Sequence, residues 1–140
     1  MIQYSFTIDG QPQGKGRPRF SQYGYHVYTD KKTHDYESYV ALSFMQAYPK
    51  AVPLDSAVSV AIVAYFSIPK GTTKTRRKLM ESGAILHTVK PDADNVVKAV
   101  LDGLNGVVWL DDKQVTDLMI QKRYSNRPRV EVTITGGGMV

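Results

Sequence analysis

Asp92 and Asp94 flank Ala93 in the stretch Lys90-Pro91-Asp92-Ala93-Asp94-Asn95-Val96-Val97-Lys98, and Asp111 and Asp112 follow Trp109-Leu110 shortly downstream. Acidic side chains are otherwise the minority, 13 Asp and Glu against 18 Lys and Arg, for a formal charge of +5 over 140 residues. Carboxylates gathered this closely repel one another and call for a counter-charge. A divalent cation is the commonest one. Hard Mg²⁺ takes oxygen ligands, needs only one or two carboxylates, and completes its shell with water and substrate phosphate. An acidic metal site in a basic chain points to a phosphodiester substrate.

Spacing leaves several points open. Asp94 fits the N-cap of a helix whose apolar stripe is Val97, Val100, Leu101 and Leu104. Pro91 biases Lys90 toward extended backbone, and in an extended approach Asp92 and Asp94, two apart, project to the same side. Lys98 lies one turn beyond Asp94, away from the apolar stripe, and Asp102 continues the same face. Lys98 is then either an ion-pair partner on the helix surface or an ammonium placed against charge developing on a phosphate. Asp111 and Asp112 are adjacent, so in extended backbone only one of them faces the site. Periodicity does not say which.

Cationic segments surround this constellation. Gln13-Gly14-Lys15-Gly16-Arg17-Pro18-Arg19-Phe20 reads as a solvated loop or as a phosphate clamp, with glycines allowing close approach and Lys15, Arg17 and Arg19 supplying charge-assisted bonds. Lys70 to Lys78, with Arg76 and Arg77, opens a polar helix after a strand, where anion contact and a plain solvated face are both natural. His87 precedes the acidic stretch, but a single histidine without a ligand partner is more often a packing residue than a base. Tyr23, Tyr25 and Tyr28 near the basic loop are candidates for stacking on an exposed base.

The elements that must hold these residues are legible from periodicity. Ile2-Tyr4-Phe6-Ile8, Val58 to Ile68 and Val130-Val132-Ile134 alternate as strands; Val115 to Tyr124 is a weaker strand with Leu118 and Ile120 on one face, and Tyr23 to Thr29 a short one. Helices are predicted over Asp30 to Tyr48, Thr73 to Ser82 and Asp94 to Asn105, with Val107 to Leu110 entering the core. This gives an α+β fold, a small mixed sheet with packed helices, in one domain over 1–140 whose residues 136–140 are a frayed tail. The chain has no cysteine, which excludes disulfides and thiolate sites. It shows neither a signal-peptide pattern nor an apolar run long enough to span a bilayer, so a cytoplasmic protein of a bacterial or phage-infected cell is expected.

The stretches Lys90 to Ala99, Leu101-Asp102-Gly103-Leu104-Asn105 and Trp109 to Val115, in register, resemble the signature of the RusA family of Holliday junction resolvases. The segment Lys15 to Phe20 is similar to one in phage-associated RusA-like sequences, whereas the better-known members carry a different loop there. The resemblance implies that Asp92, Asp94 and Asp112 are acidic active-site residues and metal ligands, with Lys98 also functional. It further implies Mg²⁺ as cofactor, with Mn²⁺ as a substitute, and a four-way DNA junction as substrate, cut by paired symmetric hydrolysis in recombination and repair. Two equivalent sites are met most simply by a C2 homodimer. A nuclease preferring flaps or forks, and a non-catalytic junction binder whose aspartates only cap and turn, are the alternatives.

Overall fold

The computed structural model of the chain describes residues 1–16, 19–20, 27–28 and 31–137. In chain order the elements are β1 (Ile2–Asp9), β2 (Arg19–Phe20), β3 (Val27–Tyr28), α1 (Lys31–Ala47), β4 (Val58–Ser67), α2 (Lys74–Ser82), α3 (Ala93–Leu104), β5 (Val115–Ser125) and β6 (Arg129–Gly136). Four strands form one sheet in the order β1-β6-β4-β5, and β2 pairs with β3 separately. β6 is antiparallel to both β1 and β4, while β4 and β5 are parallel. Parallel neighbours need a long crossover, and α2 and α3 provide it.

Alternation decides which face of the sheet is buried. Val58, Val60, Ile62, Ala64 and Phe66 of β4 join Val130, Val132 and Ile134 of β6 and Phe6 and Ile8 of β1 in a core shared with α1 and α3. Burying each such side chain contributes about 1.5–3 kcal/mol. α1 buries Tyr36, Val40 and Phe44, four residues apart, as a helix facing a core does. Phe44 meets Tyr4 and Phe6 edge-on, with ring centroids 5.2 and 5.4 Å away. α1 and α3 pack closely because Gly103 has no side chain: a Cβ there would stand 2.8 Å from the Cβ of Val40.

β5 is an edge strand with one irregularity. Val58 faces Val115 but Ser59 faces Asp117, so Thr116 is an extra residue on the β5 side. Such bulges re-aim the side chains that follow. Here the bulge sets Leu118 and Ile120 opposite Val60 and Ile62, on the helix side of the sheet. Leu118 nonetheless stays 47% exposed.

The predicted strands and helices are present, with shifts at their ends. The helix expected to begin with Asp94 as its cap begins at Ala93 with Asp92 in that position. Gly136, expected in the frayed tail, closes β6 opposite Ile2, and the Gly137 amide donates to Ser56 Oγ at 2.7 Å. Residues 138–140, Asp30 and most of the Tyr23 to Thr29 stretch lie outside the described residues. Of the Val107 to Leu110 run, Val108 and Trp109 are buried but Leu110 is 61% exposed. Among the described residues no helix is long and apolar enough to cross a membrane.

Candidate active site

The start of α3 sets the first carboxylates. Asp92 is extended, with φ −64° and ψ 151°, and its carbonyl accepts the amides of Asn95 and Val96 at 3.1 Å. Pro91 restricts its own φ and the backbone of Lys90 before it but not the residues after it; Ala93, a strong helix former, already belongs to the helix. Asp92 therefore takes the cap position expected of Asp94. Its side chain makes no capping hydrogen bond, although aspartate is well suited to one, and it is exposed. Asp94 lies in the first helical turn, which corrects the expectation of two carboxylates side by side on extended chain.

From Asp94 a single face of α3 runs through Lys98, Leu101 and Asp102, at the four- and three-residue steps that bring helix side chains together. With Val97 they form one wall of a cleft of about 410 Å³. Leu118 and Ile120 of β5 give the cleft an apolar side, and Asp112 also lines it. Asp92 is not among the lining residues. No three carboxylates or imidazoles among the described residues stand close enough to form a ready-made metal cage.

The turn before β5 separates the two adjacent aspartates. Trp109 is buried, and its indole Nε1 donates to Asp112 Oδ1 at 2.8 Å. Asp111 faces away and caps the turn Asp112–Gln114: its Oδ1 accepts the Lys113 amide at 3.0 Å, and its own amide donates to Gln114 Oε1 at 2.9 Å. Gln114 Nε2 donates to the carbonyls of Leu54 and Ser56, both at 2.8 Å, fastening the turn to the chain before β4. Burial pushes the Asp112 carboxyl above its usual range; the Trp109 bond pulls it down, and the charges of Asp102 and Asp111 push it up again. An anion destabilised by its surroundings in this way gains from a nearby cation.

Lys15, expected to contact phosphate, is turned inward instead. Its ammonium pairs with Glu37 of α1 and lies 2.9 Å from Asp102 Oδ2 of α3. Burial favours its neutral amine, yet hydrogen bonds and charge from Glu37 and Asp102 hold its pKa above the ordinary lysine value. Two further bonds fix the loop, from the Lys15 amide to the Asn95 carbonyl (3.0 Å) and from the Gly16 amide to Thr33 Oγ1 (2.9 Å). Asp102 thus serves Lys15 rather than Lys98, the partner its helical spacing suggested. Lys98 is exposed and makes no ion pair among the described residues.

The remaining candidates stand away from the cleft or outside the described residues. Arg17 is outside them; Arg19 is described only as backbone in β2, opposite Tyr28. Arg76 is exposed and Arg77 half-buried on α2, which packs on β5 and does not line the cleft. His87 is 7% exposed, and its ring stacks on Phe66 with centroids 3.8 Å apart, beside Tyr124 at 5.0 Å. That is a packing position.

Comparison with known proteins decides the family. Residues 9–135 match the family described as endodeoxyribonuclease RusA. The chain belongs to that family. It is also 39% identical over 133 residues to the uncharacterized protein YqaN of Bacillus subtilis strain 168, a match covering 92% of this chain and 93% of that protein. The span matched to the RusA family contains Lys15, the whole of α3 and the Trp109–Asp112 turn. Enzymes of that family are endodeoxyribonucleases, which hydrolyse DNA. Two features escaped the sequence reading. The Lys15–Glu37–Asp102 clamp joins residues too far apart in the chain for any local pattern to show. The Trp109–Asp112 bond spans three residues, and the buried tryptophan was its only signal.

Proposed function

We propose that this RusA-family chain is a divalent-metal-dependent endonuclease that resolves four-way DNA junctions by paired, symmetric cuts, in recombination and repair. The cleft carries the reading: Asp94 and Asp112 line one opening together with Lys98, which makes no ion pair among the described residues. Asp92 adds a carboxylate that leaves its own helix uncapped. Hard oxygen donors of this kind fit Mg²⁺ or Mn²⁺, which takes one or two carboxylates and draws its other ligands from water and phosphate. Asp92, Asp94 and Asp112 are the residues that would hold it. Bound there, such an ion supplies an acidified water and neutralises charge on the phosphate.

The chain's own groups do the rest. Trp109 fixes the orientation of the Asp112 carboxylate. Lys15 cancels charge on Asp102, leaving fewer anions to repel the incoming phosphate. Lys98 places an ammonium against the charge that builds on the phosphate oxygens in the transition state. Cutting two strands symmetrically needs two equivalent sites, which a C2 homodimer supplies through one self-complementary patch.

The near-isosteric variants Asp94→Asn and Asp112→Asn test this assignment. Each is expected to lose nearly all cleavage of a synthetic four-way junction while binding it in EDTA at least as tightly as the wild type, since a carboxylate that repels phosphate has gone. Cleavage at the wild-type rate by either variant would remove that residue from the site. Faster cutting of flaps or forks than of junctions by the wild type would reassign the substrate.

A further inference from the structure

A second cleft, of about 460 Å³, lies on the loop side of Pro91 and is bordered by Gln13, Gly14, Gly16, Lys32, Thr33 and Lys90. Among the described residues no carboxylate lines it. Lys32 and Lys90 are exposed and make no ion pair among the described residues. The lysine that the sequence assigns to this neighbourhood, Lys15, points the other way into Glu37 and Asp102, so among the described residues the positive charge of the cleft falls to Lys32 and Lys90. Two of its lining residues, Gly14 and Gly16, carry no side chain. A Cβ on Gly14 would stand 2.8 Å from the Pro91 Cβ, so the loop rests on Pro91 only because that residue is glycine. The Gly16–Thr33 bond holds the wall to α1. Asp35 borders the adjoining depression, which Lys31 and Lys32 also line.

We propose that this cleft seats a phosphate of the DNA backbone between Lys32 and Lys90. The inference rests on the nuclease reading for its ligand. Gly14 of this cleft stands against Asn95, the chain neighbour of Asp94 in the first cleft, so one strand can lie across both, with one phosphate at the carboxylates and another between the lysines. Glycine backbone admits the close approach that a phosphate contact needs, and two ammonium groups supply point charges without reading sequence.

Junction affinity measured by fluorescence anisotropy in EDTA, over a series of salt concentrations, tests the seat. Each phosphate contact contributes about one unit to the slope of log K against log salt. Lys32→Ala and Lys90→Ala should each flatten the slope by about one unit and the double variant by about two. The loss should be equal on junctions of unrelated sequence, and Lys32→Arg/Lys90→Arg should restore the slope. A double variant with wild-type melting temperature and unchanged slope would overturn the proposal. Cleavage of the same junction by the wild type with Mg²⁺ reports separately on the nuclease reading. Cleavage with an unchanged slope sinks the phosphate seat alone, whereas flattening without any cleavage keeps the seat and sinks the nuclease.

Discussion

A half-buried carboxylate stays where its hydrogen-bond partner holds it, and for Asp112 that partner is the Trp109 indole. Its neighbour Asp111 has a different task, capping the turn that follows. Periodicity left these two undecided, because adjacent residues in extended chain differ only in side, and only the family resemblance favoured Asp112. What separates them is a buried ring three residues upstream and the reach of Gln114. Asp111→Asn should therefore retain cleavage and nearly all stability, since asparagine caps as well as aspartate. Lys98 was legible as an unpaired cation only in part, because helical spacing offered Asp102 as its mate. With that mate taken by Lys15, Lys98→Ala should lower the single-turnover cleavage rate far more than junction affinity. An equal loss in both would make Lys98 a ground-state phosphate contact, and a large drop in melting temperature would make it structural.

At the scale of elements, period-two and helical patterns located every long strand and helix, because burial on one face writes itself into the sequence. The Thr116 bulge was not legible: one extra residue leaves Leu118 and Ile120 alternating as before and only changes what they face. The loop clamp was invisible for the same kind of reason, since its three charges come from a loop and two separate helices. Lys15→Met leaves two partly buried carboxylates without their cation and should cost about 1.5–3 kcal/mol of stability in denaturant unfolding, with Lys15→Arg recovering part of it. A loss under 0.5 kcal/mol, the size typical of an ordinary surface change, would show that the clamp does not hold the loop. His87 ties the segment between α2 and α3 to the sheet. Burial, and then the charge of Lys122, lowers its pKa below the ordinary 6.5. The folded state then binds fewer protons than the unfolded one, so this stability is complete above about pH 6.5 and is lost as the pH falls through the folded value. His87→Phe keeps a ring on Phe66 and cannot titrate. Its melting temperature should fall less than that of the wild type between pH 7 and pH 5; parallel profiles would contradict the assignment.

At the scale of the whole molecule, a chain of net charge +5 concentrates carboxylates at one end of α3 and the turn before β5. Composition was only compatible with a polyanionic partner, and the signature residues made the family legible, but neither shows how the acidic groups meet. That depends on β5 lying at the sheet edge, where α2 packs on it without entering the cleft, and on α3 being held against α1 by the close packing at Gly103. In the proposed function this cleft cuts branched DNA with the help of a divalent ion. The most direct measurement is cleavage mapping on a four-way junction labelled on each strand in turn, with Mg²⁺ and with EDTA. Paired cuts at symmetry-related positions in two opposing strands, present with Mg²⁺ and absent with EDTA while the junction stays bound, are predicted. A protein that binds the junction and leaves every strand intact with both Mg²⁺ and Mn²⁺ would contradict it.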